Sequence, residues 1–444
     1  MKLDRESLAA LDEALAVLEQ GFAALPDLGP QPDFDRIRPV LREVATRMQD
    51  NFPYAHPLYA GQMLKPPHPV ARLAYALSLW VNPNNHALDG GRASSAMEKE
   101  AVAALAKMFG LPQHLGHLTS GGTFANLEAL WVAGHDSPGV VLASSQAHYT
   151  HSRISAVLKL SFESIAVDRH GRMDLDALEA RLKRGGVGTV VATLGTTALG
   201  AVDPLPAILA LARQHGARVH VDAAYGGYFI LSSLLAPAAR AAFDSIAQAD
   251  SVVVDPHKHG LQPYGCGCVL FADPQVGRHY AHDSPYTYFT SSELHLGEIS
   301  LECSRAGASA VALWATQRLL PMEQGGGFAK GLDAGIAAAR DLHARIAGEP
   351  RFRTLMPPEL DIVVWALAAP SASASSAAAE ALFVAAAAHD LHLAKLKLPR
   401  ALAEPWAGLI QWDLDALTAM RSVLMKPEHQ EWLPEIWRRL IVGL

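Results

Sequence analysis

Cysteine is scarce: Cys266, Cys268 and Cys303 are the three in 444 residues. So small and odd a set cannot form a disulfide framework, and it fits the reduced thiols of a cytoplasmic protein. Long apolar runs are missing as well. The nearest, Ile362 to Ala388, is interrupted by Pro370, a serine cluster and Glu380, so it reads as a strand followed by an alanine-rich helix, not a membrane span. With a net charge of -7 and no basic block, the chain lacks what is needed to track a nucleic-acid backbone. The first 25 residues are amphipathic and acidic, without the uninterrupted apolar core of a secretion signal. Several catalytic patterns are also absent, namely the GxSxG elbow, HExxH and any cysteine array. Four HxxH pairs, at 114/117, 148/151, 279/282 and 389/392, are expected among 20 histidines, and no metal site is predicted.

Half the residues are hydrophobic, enough for a large core and for two or three domains. Leu8, Leu11, Leu15, Leu18, Phe22 and Leu25 alternate spacings of three and four, the seam of a helix that packs on another helix, in a partner subunit or in its own body. Proline-rich connectors come next. Short apolar strands then alternate with helical stretches: GVVLAS (139–144), SIAVD (164–168), GTVVATLG (188–195), ARVHVDAA (217–224), SVVVD (251–255) and CGCVLFAD (266–273), with helices at Asp174 to Lys183 and Leu205 to Gln214. This alternation predicts an α/β fold with a mostly parallel sheet and helices on both faces. The GGG at 325–327 precedes a long helix and marks a boundary, after which DIVVWALA and GLIQWDLD read as strands of a smaller α+β unit. The expected division is a helical arm and connector (1–82), a large domain (83–322) and a small C-terminal domain (323–444).

Within the large domain, the stretch VDPHKHG places Lys258 just past a buried strand, where a sheet ends and a ligand crevice begins. HVDAAYGG ends a second strand with Asp222. In TSGGTFANLEAL, Gly121, Gly122 and Thr123 open a helix whose N–H groups can seat a phosphate. His148 in SSQAHYTHS, and Thr196 and Thr197 in ATLGTTALG, come after other strands. Alone, each has an ordinary explanation, such as an ion pair, a glycine turn or a capping threonine. Together they match the needs of pyridoxal 5'-phosphate: an amine for its aldehyde, a carboxylate for its ring nitrogen, a flat surface and an anion cradle.

HVDAAYGGY and VDPHKHG, in order with TSGGTFANLEAL and SSQAHYTHS, resemble the group II pyridoxal-phosphate-dependent amino acid decarboxylases. ISLECSRAGASAVALWATQRLLP and VLMKPEH resemble bacterial and archaeal tyrosine decarboxylases in particular. The resemblance spans about residues 50 to 440. It implies the fold of aspartate aminotransferase (fold type I), with a seven-stranded sheet and a homodimer whose active sites lie at the interface. It also implies an L-amino acid substrate, aromatic such as tyrosine first and aspartate or glutamate next.

Residue by residue, the resemblance implies Lys258 as the covalent anchor, His257 at the phosphate or in proton traffic, and Asp222 at the ring nitrogen. It places Ala224 under the ring, His148 over the other face, and Gly121, Gly122, Thr123 and Thr197 at the phosphate and ring substituents. Tyr288, with Tyr280 and Tyr286 as alternatives, is expected to return the proton from a loop. Arg305 is expected either at a phosphate, in its own subunit or across a dimer interface, or as a structural residue beside the following helix, and Asn85 and His86 are expected at the substrate entrance. Two departures bear on the substrate: Phe124 where many relatives carry glutamate, and Asp255 where animal aromatic decarboxylases carry asparagine. An aminotransferase or carbon–carbon lyase could use the same anchor, the former clamping a carboxylate with Arg421 or Arg400.

Overall fold

Valine-rich runs with no charge on either face are suited to strands buried on both sides, and here they form the centre of one sheet. The computed structural model describes residues 5–26, 29, 32–281, 295–406 and 408–444. Its large sheet contains β1 (Leu115–Thr119), β2 (Val140–Ser144), β3 (Phe162–Ile165), β4 (Val187–Thr193), β5 (Arg218–Asp222), β6 (Ser251–Val254) and β7 (Gly267–Phe271), in the order β1-β7-β6-β5-β4-β2-β3. β3, β2, β4, β5 and β6 run parallel, whereas β7 is antiparallel to both β6 and β1. Thr193 pairs with Asp222 and Asp222 with Val253. The C-terminal ends of β4, β5 and β6 therefore lie level, and the segments that leave these strands open onto one edge of the sheet.

Valines 190, 219, 221, 252 and 254 are almost entirely buried in the main core with Phe229 and Phe243. Each such valine contributes about 1.5–3 kcal/mol of apolar burial, an upper figure because unfolded chains are already partly collapsed. On the other face, helix Gly122–Asp136 packs on β1, β6 and β7 through Ala125, Ala129 and Val132.

The smaller sheet, β8 (Phe352–Thr354), β9 (Ile362–Leu367), β10 (Ala394–Pro399) and β11 (Ala416–Val423), is antiparallel in the order β10-β11-β9-β8. Helices Gly327–Ala347, Ala372–Ala388 and His429–Val442 enclose its core around Trp365 and Met420. The alanine-rich run is helical, as expected, and Ser371 caps it by accepting from Ala374 N at 3.2 Å.

GLIQWDLD is not a strand. The strand begins only at Ala416, because the fully buried run after it, and not the alternating one with exposed Leu409, lies between β10 and β9. Helices Arg5–Gln20 and Phe34–Met48 bury no residue within the chain, and the first rests on helix Pro69–Ser78. No described helix is long and apolar enough to cross a membrane.

Candidate active site

A cavity of about 280 Å³ opens at the level strand ends, at the small end of the range for small-molecule sites. Its wall includes Gly121, Gly122, Thr123, His148, Thr197, Asp222, Ala224, His257 and Lys258, residues that lie far apart in the chain. β6 stops at Val254 because Asp255 is followed by proline, which has no N–H for the ladder. A turn closed by Lys258 N on Asp255 O (2.9 Å) then presents the lysine, and His257 N bonds Cys266 O (3.1 Å) at the entry to β7. The Lys258 ammonium lies 2.9 Å from the buried Asp255 carboxylate.

Opposite, Gly121 has φ +151°, a backbone that side chains rarely adopt, and leads into the helix without a side-chain cap. The first N–H groups of a helix have no partner within it, so they remain available to an anion. A Cβ on Gly122 would stand 2.6 Å from Asp255 Oδ2, so only glycine lets this turn approach the lysine's carboxylate.

Two histidines line the cavity, and a third is buried behind it. His148 Nδ1 accepts from Thr150 N (3.3 Å) and meets Thr150 Oγ1 at 2.9 Å, which leaves Nε2 to carry the proton. Burial above all, and the Lys258 charge, push His148 below the usual imidazole value against the pull of Asp222. His257 donates Nδ1–H to Cys266 O (2.8 Å), and burial likewise lowers it. His151, one helical turn beyond His148, puts Nε2 2.8 Å from Asp222 Oδ2, while Ala224 N donates to Oδ1 at 3.1 Å. Burial by itself would raise the Asp222 carboxyl. The His151 hydrogen bond and its electrostatic pull, the Lys258 charge and the Ala224 N–H outweigh it, and the carboxyl lies below the ordinary carboxylate range.

Of the further lining residues, only Phe124 carries a sequence signal of its own. Asn126 lies one helical turn beyond Thr123, and its Oδ1 accepts from His220 Nε2 at 2.7 Å. Thr193, Gly195 and Tyr225 complete the wall, and Phe124 reaches it while 39% exposed. Thr196 is fully buried and bonds Ala201 N (3.1 Å), so of the two threonines only Thr197 lines the cavity.

Three expected residues are not brought to the cavity of this chain. The Arg305 guanidinium bonds Glu98 Oε1 (2.8 Å) and the Leu118 carbonyl, because a buried arginine takes the nearest buried carboxylate. Asn85, wholly buried, donates to the same Glu98 at 2.6 Å. The His86 carbonyl accepts from Gly297 N at 2.9 Å, which ties down the chain after residue 294. Tyr280 is buried edge-on to Trp131, away from the cavity, and Tyr286 and Tyr288 lie outside the described residues. Arg400 lies over Trp412, whereas Arg421 donates to the carbonyl of cavity-lining Thr197 (3.0 Å) and to Gln62 Oε1 (2.5 Å). The described residues contain no cluster of three or more metal-ligating groups.

Comparison with known proteins decides what this cavity belongs to. Residues 133–368, over half the chain, match the "Pyridoxal-dependent decarboxylase conserved domain". The chain belongs to the pyridoxal-dependent decarboxylase family. It is 29% identical over 310 residues to a probable L-tyrosine/L-aspartate decarboxylase of Methanothermobacter thermautotrophicus, covering 69% of this chain and 82% of the relative. To the L-2,4-diaminobutyrate decarboxylase of Rhizobium meliloti it is 35% identical over 277 residues, 57% of this chain and about half (54%) of that one. In fold it is similar to mouse CSAD in apo form, with TM-score 0.78, 21% identity and 99% of both chains covered. The decarboxylase acts on amino acids with pyridoxal phosphate as cofactor.

The described residues fit that cofactor. The uncapped helix start offers donors to a phosphate, Asp222 is held anionic, and Lys258 reaches the cavity with its side chain 21% exposed.

Proposed function

We propose that the chain decarboxylates an aromatic L-amino acid, with tyrosine as the first candidate, and does so as a cytoplasmic homodimer. The observation that carries the aromatic preference is Phe124 on the cavity wall together with the absence of any arginine among the described lining residues. A second side-chain carboxylate would lack a bidentate partner there. An acidic substrate is the second reading, favoured by relatives named as aspartate decarboxylases.

On this reading Lys258 holds the cofactor covalently and Asp222 faces its ring nitrogen. Gly121, Gly122, Thr123 and Thr197 take the phosphate and ring substituents, with His257 beside them. His148 and Ala224 cover the two faces of the ring. When bound, pyridoxal phosphate supplies an electron sink conjugated to the α-carbon. Asp222, kept anionic in a poorly solvated site, favours a protonated partner opposite it. His148, a neutral ring, adds a flat apolar surface without adding charge. Arg421 is not on the cavity wall but buried behind Thr197, with Nε lacking a hydrogen-bond partner among the described residues. It is proposed for the α-carboxylate, which leaves no arginine on the described wall for a second carboxylate. After carbon dioxide leaves, the α-carbon keeps the electron pair and needs a proton. Lys258 is a described cavity group able to hand one over, and Tyr288 is a second proposed donor.

The homodimer reading rests on the two N-terminal helices, which leave Leu8, Val17, Val40, Leu41 and Val44 at least half exposed. Faces this apolar are normally covered by another surface. The cytoplasmic reading rests on three thiols in no disulfide.

Carbon dioxide release from each of the twenty amino acids, with keto acid followed in parallel, tests the substrate. Fastest release from tyrosine or another aromatic substrate supports the reading. Fastest release from aspartate or glutamate selects the second one, and keto acid without gas contradicts both.

A further inference from the structure

The pair His148 and His151 has the spacing of a metal motif, yet its two rings do different work. Spaced by three around the start of helix Thr150–Val157, both lie on one face of that turn. His148 reaches the cavity wall, while His151 is wholly buried behind it. The one hydrogen bond of the His151 ring goes from Nε2 to Asp222 Oδ2 at 2.8 Å. Nδ1 is buried without a hydrogen-bond partner among the described residues. A carboxylate oxygen can only accept, so the Nε2 atom facing Asp222 carries the hydrogen of that bond. His220, whose ring centre is 6.4 Å away, is engaged elsewhere by Ser251 Oγ (2.8 Å) and Asn126 Oδ1 (2.7 Å) and does not share the task.

We propose that His151 is a positioning residue that, as an Nε2–H donor, fixes the Asp222 carboxylate in one orientation and thereby favours protonation of the cofactor's ring nitrogen. The inference rests on the assignment of Asp222 to that nitrogen. A carboxylate oxygen accepts about two hydrogen bonds, so one donor on each oxygen, His151 and Ala224 N, leaves capacity facing the cavity. Without the His151 donor, a proton shared between ring and carboxylate moves toward the carboxylate, and the sink weakens. A purely structural ring could be exchanged for a hydrocarbon of similar size with no change at the cofactor.

The test uses holoenzyme loaded with pyridoxal phosphate carrying ¹⁵N at the ring nitrogen and read by NMR. In wild type the nitrogen should show the protonated shift. In His151→Phe it should move toward the unprotonated value, with turnover falling roughly 10- to 100-fold, the range for a hydrogen bond to a charged group. His151→Gln, which restores an N–H donor, should recover much of both. A wild-type shift in fully loaded His151→Phe overturns the proposal. Asp222→Asn separates the two layers: if it too leaves the shift unchanged, the assignment of Asp222 itself fails. Should His151→Phe not fold, ¹⁵N-histidine labelling of the wild type decides. A His151 Nε2–H signal that shifts on cofactor binding supports the proposal, and one indifferent to the cofactor contradicts it.

Discussion

Lys258 Nζ and Asp255 Oδ2 are 2.9 Å apart, and Asp255 occupies the space a side chain on Gly122 would need. The lysine turn after β6 and the glycine turn before helix Gly122–Asp136 are thus fitted to each other through one carboxylate. Gly122→Ala should push Asp255 off Lys258 and crowd the anion cradle. Overpacking of this kind costs about 1–3 kcal/mol, and a tenfold or greater loss of cofactor affinity is expected. Fluorescence titration of cofactor-free protein measures it, and an unchanged affinity would show the fit to be loose.

Asp222→Asn keeps the shape of the group and removes its charge. Turnover should fall by at least roughly 100-fold, the scale of losing a preorganised electrostatic partner. Cofactor occupancy, read from absorbance on the same sample, should fall much less. Parallel losses in both would reduce Asp222 to a binding residue.

Arg421→Met should raise KM roughly 10- to 100-fold with a smaller change in kcat, as for a charge-assisted hydrogen bond made equally in ground and transition states. Steady-state kinetics with the best substrate give the split, and an unaltered KM would leave Arg421 with only its bonds to Thr197 and Gln62.

A second buried cation predicts a pH dependence of stability. Lys426 is 2% exposed and its ammonium donates to the Tyr59 carbonyl (2.6 Å); burial, then the nearby Lys65 charge, push it down to about 7. Its folded value lies below the unfolded one of 10.5, so between these values the unfolded chain binds the extra proton. Stability therefore rises with pH from about 7 toward 10 and is lost as pH falls through 7. Lys426→Met should remove this slope, about 1.4 kcal/mol per pH unit at its steepest and on the order of a few kcal/mol over the whole window. Denaturant melts of both proteins at several pH values check it, and equal slopes would refute it.

How much of the fold and site is legible in the sequence depends on where the physical signal lies. β-branched runs revealed β2 to β7 with boundaries shifted by a few residues, since a strand buried on both faces looks the same in any register. β1 is not legible because His117 interrupts its apolar run; the structure sets buried Glu128, eleven residues on, 3.0 Å from that ring. Lys258, Asp222 and His148 stood out because each polar group comes after an apolar strand. The contacts of Arg305 and Asn85 are illegible for the opposite reason. Their type suits a phosphate or an entrance, and only the fold reveals that Glu98 is nearer. His151 was visible only as half of an HxxH pair, whose spacing says that two rings share a face but not what they touch.

The apolar N-terminal helices carry a prediction of their own. Sedimentation should find a dimer, and Leu8→Asp with Val17→Asp should weaken it without unfolding the subunit, because neither residue is buried within the chain. A monomeric wild type would remove the dimer from the account.

The central claim is that Lys258 anchors the cofactor. Reduction of the holoenzyme with borohydride, followed by peptide mass spectrometry, tests it in one step. The account predicts a pyridoxyl group on Lys258 and on no other lysine. Label on a different residue, with Lys258 unmodified, would contradict it.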